Sequence, residues 1–276
     1  MTTIIDLIKQ RRSVRTFNGA PVEADKLNQI KELMTGLEDP YFRFGILDLE
    51  DVNGNQYGAY GVIKGTGTYI VGAIKKEVVD QTDVAMAFGY GFEEVVLKLT
   101  DLGLGSCWIA GTFKPEDFRS ASGLTEAYQI VMICPIGYEH DKRLLERAMR
   151  FYTKADQRQP ISDLVFDNQL GQTLTKEVDA PYMEALEMVR LAPSAKNLQP
   201  WRMVVGKDKV DFYIPKDKEG YLMNGFNVTY NDMGIAKYHF EKTLGVYGII
   251  GEWFTAEVEA GPAYTYVTSW REKGQA

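Results

Sequence analysis

Cysteine and histidine are nearly absent: the 276 residues include two of each. Cys107 and Cys134 both lie inside apolar runs, where two buried, reduced thiols are expected. Their spacing supports neither a disulfide framework nor a zinc site, which points to a reducing, cytoplasmic setting. His140 and His239 are too scattered to chelate, so no metal site is predicted. Long hydrophobic runs are also missing. None approaches the ~20 apolar residues of a bilayer-spanning helix, so no membrane partner is expected. Residues Thr2 to Asp6 carry neither the basic start nor the apolar core of a secretory leader. An excess of positive charge is missing too: the net charge of -7 argues against non-specific nucleic-acid binding.

What remains is a globular composition, with 45% apolar and 25% charged residues. The length allows one large domain or two of ordinary size. Apolar periodicity predicts a short helix ending near Gln10, a helix over Glu23 to Met34 and another over Pro181 to Leu191. Pro181 suits a first helical turn, where its missing N–H costs little. After each of the last two helices comes an aromatic-basic step and a strand: Pro40 to Leu47, and Pro200 to Val205. Asp83 to Leu102 and Tyr230 to Leu244 read as helices, each followed directly by a glycine. Tyr128 to Ile133 and Ala263 to Val267 read as buried strands. The order helix, strand, strand, helix, strand thus occurs twice. Between the two copies, Asp141 to Gln172 reads as a connecting arm, with Pro160 stopping any helix there.

Two segments carry chemical signals. In Arg11-Arg12-Ser13-Val14-Arg15, guanidinium forks and a hydroxyl could converge on one anion. In an extended chain Arg11, Ser13 and Arg15 share one side; the other reading is a solvated basic turn. In Gly103-Leu104-Gly105-Ser106-Cys107-Trp108-Ile109-Ala110-Gly111, Gly105 and Gly111 permit unusual backbone conformations. Small Ala110 would let the main chain approach a flat ligand. The other reading is a helix cap leading into a buried strand.

Together with a third segment, these resemble the nitroreductase family of FMN enzymes. Pro193-Ser194-Ala195-Lys196-Asn197-Leu198-Gln199-Pro200-Trp201 is similar to the family's Pro-Ser-x-x-Asn-x-Gln-Pro-Trp element. The arginine cluster resembles its Arg-Arg-Ser-x-Arg motif, and Gly103 to Gly111 its Gly-Leu-Gly-x-Cys-Trp-Ile-x-Gly stretch. The strand from Tyr128 to Tyr138 resembles the family strand ending in Gly-Tyr. In the family the Pro-Ser element follows the basic motif by about one helix and reaches into the flavin site of a dimer partner. Here it is displaced by half a chain. The resemblance therefore implies both protomers in one polypeptide: a fused pseudo-dimer, monomeric in solution, with one FMN between its halves.

The fold implied is α+β and nitroreductase-like. Residues 1–150 would form the half with the FMN phosphate and ring-edge motifs. Residues 151–276 would form the arm and the half that supplies the Pro-Ser loop. By the same resemblance, Arg11, Arg12, Ser13 and Arg15 would hold the FMN phosphate and ribityl chain. Ile109, Ala110 and Gly111 would lie at the ring edge near N5, and Arg158 on the phosphate side. Pro193, Ser194, Ala195 and Asn197 would cover the flavin. Lys196 would face substrate, or be an exposed loop lysine. Trp108, Trp201 and Tyr57 would line the pocket or belong to the core. Asn53 and Asn55, in the half without a Pro-Ser loop, would leave the flavin untouched.

The implied activity is two-electron transfer from NAD(P)H to a small nitroaromatic or quinone-like acceptor, in ping-pong order. No catalytic acid, base or nucleophile is identified. A flavin-binding protein without turnover, or a flavin enzyme with a dedicated substrate such as a dehalogenase, are the alternatives. The second half departs from the pattern. Lys176-Glu177-Val178-Asp179 replaces the basic motif, and Glu252 stands where a ring would lie.

Overall fold

A computed structural model describes residues 2–37, 39–48, 63–140 and 157–274. Asn53, Asn55, Tyr57 and the first part of the arm, including the expected boundary at 150, lie outside the described residues.

Helix α1 (Ile4–Gln10) begins at a reciprocal cap. Thr3 Oγ1 accepts the Asp6 N–H at 3.2 Å, and the Asp6 carboxylate accepts the Thr3 N–H at 3.0 Å, satisfying amides a helix start leaves without partners. Ile5, Leu7 and Ile8 bury against Leu97, Met188 and Tyr238, so α1 touches both halves of the chain. At Arg11 the backbone becomes extended and α1 ends.

The first half continues with α2 (Ala24–Gly36), β1 (Phe42–Asp48), β2 (Thr68–Lys75), α3 (Thr82–Asp101), β3 (Gly105–Ser106), α4 (Pro115–Ser122) and β4 (Tyr128–Gly137). The arm supplies β5 (Val165–Asp167). The second half follows with α5 (Ala180–Leu191), β6 (Arg202–Val205), β7 (Val210–Pro215), a small hairpin of β8 (Leu222–Met223) and β9 (Phe226–Asn227), α6 (Val228–Val246), β10 (Gly251–Phe254) and β11 (Tyr264–Glu272).

The first sheet has the order β1-β2-β4-β3 and is antiparallel throughout. The second has the order β10-β11-β7-β6-β5. Read from its other edge, β6-β7-β11-β10 retraces the first sheet strand for strand, again antiparallel. The arm adds β5 to the edge of β6 in parallel, with Val165 opposite Met203. The fold is α+β, as expected.

Each sheet has its own aromatic core. Phe42, Phe44, Phe88 and Phe92 pack as tilted, stacked and edge-on rings in the first half. Phe212, Phe240, Trp253 and Trp270 do so in the second. Full burial of one such side chain stabilises by roughly 1.5–3 kcal/mol. Phe226 of β9 crosses over and packs edge-on against Phe88. Trp201 is fully buried in the second core.

Two local expectations are corrected. Helix α6 runs to Val246, so Gly245 lies inside its last turn and does not follow it. Gly105 and Gly111 do not adopt left-handed backbone; Gly103 does, with φ 74°. Close approach is what the other two permit. A side chain at Gly111 would run into the Met223 thioether at less than 3.0 Å.

Candidate functional site: a cavity between the halves

A cavity of about 770 Å³ opens where the two halves meet, within the usual size range of ligand pockets. From Arg11 the chain runs extended: the Val14 N–H bonds to Ser106 O at 2.8 Å and the Phe17 N–H to Lys64 O at 2.8 Å. Extended backbone sends alternate side chains to opposite faces. Val14 is accordingly buried in the core, while Arg11, Ser13 and Arg15 line the cavity. Arg12 borders it too, but its guanidinium is paired with Glu139 and half exposed. The Nε of Arg11 is buried and has no hydrogen-bond partner among the described residues. A buried donor of that kind calls for an acceptor, which an anionic ligand would supply.

The opposite edge is made by Trp108 to Gly111. Ile109 is anchored to β4 by bonds of 3.0 and 2.9 Å with Ile133. Its amide is therefore engaged in the sheet, and Ala110 and Gly111 continue the main chain along the cavity. The indole N–H of Trp108 donates to Glu93 Oε2 at 3.0 Å. Glu93 is fully buried, and its Oε1 lies 2.9 Å from His239 Nε2. His239 Nδ1 lies 2.9 Å from Met188 O, which can only accept, so Nδ1 carries a proton. The Glu93–His239 contact then shares the remaining proton. This buried chain ties the Trp108 segment to α3, α6 and α5.

Pro193 to Asn197 form the third wall. Lys196, Asn197 and Gln199 have φ of 50°, 55° and 47°, a left-handed conformation that non-glycine residues adopt at a cost of about 1–3 kcal/mol each. Polar contacts hold them there. The Ala195 N–H donates to Asp232 Oδ2 at 2.9 Å, and the Gln199 N–H to Ser194 Oγ at 2.9 Å. Asn197 Nδ2 donates to Gln157 O at 2.6 Å, and Arg158 Nη1 to Asn197 Oδ1 at 3.0 Å. Asn197 lines the cavity, but these bonds tie its side chain to the arm. Arg158 also donates to Leu191 O at 3.1 Å and lines the same cavity. Lys196 Nζ sits 4.6 Å over the Tyr221 ring.

All of the residues expected at the site therefore border one cavity: Arg11, Arg12, Ser13, Arg15, Ile109, Ala110, Gly111, Arg158, Pro193, Ser194, Ala195, Lys196 and Asn197. Trp108 borders it as well, whereas Trp201 does not.

Sequence reasoning missed Tyr221, Met223 and Asp232. The first two are placed by the β8–β9 hairpin, whose turn residues Asn224 and Gly225 have φ of 50° and 82°. Asn-Gly is a strong hairpin signal and was available in the sequence. Asp232 is a carboxylate set in an apolar helix, which was the available signal for a special role. It is the one acid among the described lining residues, against Lys9, Arg11, Arg12, Arg15, Arg158 and Lys196. Its pKa is raised to about 8, chiefly by burial and in lesser part by nearby Glu93, against the lowering effect of the Ala195 and Asn231 hydrogen bonds.

Among the described residues no cluster of metal-ligating side chains occurs, and no helix is long and apolar enough to cross a membrane. Cys107 and Cys134 are buried and form no disulfide, and burial raises the Cys134 pKa.

Residues 3–244 match a family model described as "Putative TM nitroreductase". Among solved structures, a "putative nitroreductase" from Thermotoga maritima is similar with a TM-score of 0.60 and 18% identity, over 98% of this chain and 93% of that one. That likeness is one of fold. A nitroreductase family protein from Clostridium difficile 630 is 22% identical with a TM-score of 0.44, over 59% of this chain and 95% of its own. A nitroreductase with bound FMN from Bacteroides fragilis is 22% identical with a TM-score of 0.42, over 52% and 92%. No curated protein matches significantly.

Proposed function

The chain belongs to the nitroreductase family, whose model matches residues 3–244, and from that premise we propose that it is an FMN-dependent oxidoreductase. It passes two electrons from NAD(P)H to a small organic acceptor, nitroaromatic or quinone-like. The observation that carries this proposal is the cavity itself, in which Arg11, Ser13 and Arg15 from one half meet Pro193 to Asn197 from the other. The Arg11 Nε, without a hydrogen-bond partner among the described residues, fits a phosphate, and the cationic lining fits an anionic cofactor.

When bound, FMN would supply two-electron chemistry, taking a hydride from the nicotinamide and passing it to the acceptor in ping-pong order. Arg11, Ser13 and Arg15 would hold its phosphate and ribityl chain, with Arg158 as a further anchor. Arg12, engaged by Glu139, would contribute less. The Ala110 and Gly111 amides would meet the ring edge. Ala195 and its neighbours would cover the ring and exclude water from it. Lys196 and Tyr221, at 4.6 Å, would hold the acceptor.

One FMN per chain is proposed, because the equivalent residues of the second half are engaged elsewhere. Lys176 is paired with Asp167 at 2.8 Å and bonds to Val205 O at 2.6 Å. Glu252 is held by Arg271 at 2.6 and 2.9 Å across β10 and β11. The two halves thus act as the two protomers of a family dimer, residues 1–150 and 151–276, and the chain is a cytoplasmic monomer.

The test is the visible spectrum of the purified protein, followed by NADH and NADPH oxidation with and without an added nitroarene or quinone. Flavin bands and acceptor-dependent oxidation are expected. Flavin without oxidation of either donor would support the binding protein without turnover. Failure to take up FMN on reconstitution would remove the cofactor assignment.

A further inference from the structure

We propose that Asp232 is the acid of this cavity and gives a proton to the acceptor as the two electrons reach it. The proposal rests on the oxidoreductase function above. Asp232 stands in the first turns of α6, is 3% exposed and lines the cavity beside Ala195 and Lys196. The Ala195 N–H holds Oδ2 at 2.9 Å, which fixes the carboxyl in the cavity wall.

An ionised carboxylate buried in that way would need a paired cation, and Asp232 has no ion pair among the described residues. Glu93, facing it from α3, adds negative charge, and His239 is bonded to Glu93 and not to Asp232. Asn231, beside it on α6, donates a hydrogen bond. On α5, Glu187 and Arg190, the charged residues on either side of Met188, are paired with each other. Arg11, Arg15, Arg158 and Lys196 line the same cavity, and an anionic ligand on them would offset their pull on the carboxyl. With its pKa pushed to about 8 by burial, the side chain carries a proton at neutral pH.

A quinone is one such acceptor. A hydride equivalent, drawn from NAD(P)H, brings two electrons and one proton to the quinone. Asp232 supplies the second proton: its O–H bond breaks and an O–H bond forms on the reduced oxygen. The quinone leaves as hydroquinone, and Asp232 is left as a carboxylate that water at the cavity mouth reprotonates.

The experiment follows reoxidation of the NADH-reduced holoprotein by a quinone or by ferricyanide, from weakly acid to alkaline pH. Ferricyanide takes electrons without a proton. The quinone rate should fall as pH rises through about 8, while the ferricyanide rate shows no inflexion there. Asp232→Asn keeps an acceptor for the Ala195 N–H and removes the acid. The ratio of quinone to ferricyanide rates should fall by about 100-fold in the variant. A readout independent of turnover is the carboxyl carbon signal of Asp232 in the apoprotein, absent in Asp232→Asn, which should titrate well above the ordinary carboxylate range. An unchanged rate ratio, a quinone rate without inflexion, or a carboxyl titrating in the ordinary range would overturn the proposal. Should the variant not fold, the pH profile and titration of the parent protein decide. Failure of both nicotinamides to reduce the protein would overturn the oxidoreductase function, and this proposal with it.

Discussion

Gly89 of α3 and Gly234 of α6 occupy reciprocal positions in one helix crossing. A side chain at Gly89 would meet the carbonyl oxygen of Asn231, and one at Gly234 that of Met86, each at less than 3.0 Å. In both cases the carbonyl stands three residues before the partner glycine. The contact is thus reciprocal, between helices that hold corresponding places in the repeated element order. It also brings Glu93 of α3 close enough to Asp232 of α6 to raise that carboxyl's pKa.

Gly89→Ala and Gly234→Ala should each destabilise the chain, because backbone atoms and not flexible side chains block the new methyl. Overpacking of this kind costs about 1–3 kcal/mol. Gly36, where a side chain would meet nothing within 4 Å, is the control and should tolerate alanine. Denaturant midpoints compare the three. Equal midpoints would mean that the helices part without cost.

Glu93 accepts from the Trp108 indole and contacts His239 in a fully buried setting. Glu93→Leu leaves both without their partner and should cost about 3–5 kcal/mol. Glu93→Gln, which keeps an acceptor for one of them, should cost less. Thermal unfolding of the two variants orders them. If leucine proves the milder change, the carboxylate is not what holds the Trp108 segment.

Much of this arrangement was legible in the sequence. Helical periodicity located α2, α3, α5 and α6, and the repeated element order anticipated the matching sheets. That Arg11, Ser13 and Arg15 line one cavity could be read from an extended segment, because alternation alone puts these three side chains on one face. Other parts lay beyond local signals. Arg12 turns to Glu139, a partner 127 residues away. Asn197 bonds to the arm at Gln157 and Arg158, which a motif match cannot show. Asp232 gains its altered pKa from tertiary burial and from Glu93 on another helix. The glycines at the α3–α6 crossing look like weak helix positions until the partner backbone is known.

Arg15→Ala should weaken FMN binding by roughly 1.5–3 kcal/mol, the range for a hydrogen bond to a charged group, or about tenfold or more. Arg12→Ala should weaken it less, since Glu139 already engages that guanidinium. Fluorescence titration of apoprotein with FMN gives both values. Arg12→Ala as the more damaging change would reverse the phosphate assignment.

Asn197→Ala should loosen the arm and the left-handed loop together. It removes the acceptor of Arg158 and the donor to Gln157 O. FMN affinity should fall, and protease cleavage of the arm near Gln157 should accelerate. Asn197→Gly, which relieves the φ of 55°, should recover part of the loop geometry but not the arm contacts. If FMN affinity is unchanged in both variants, the loop does not cover the cofactor.

The central claim is that one chain builds one complete flavin site from its two halves. Native mass spectrometry of the FMN-saturated protein measures chain number and flavin number in the same particle. The account predicts a single 31.2 kDa chain carrying one FMN. Two FMN on one chain, or FMN retained only by particles containing two chains, would contradict it.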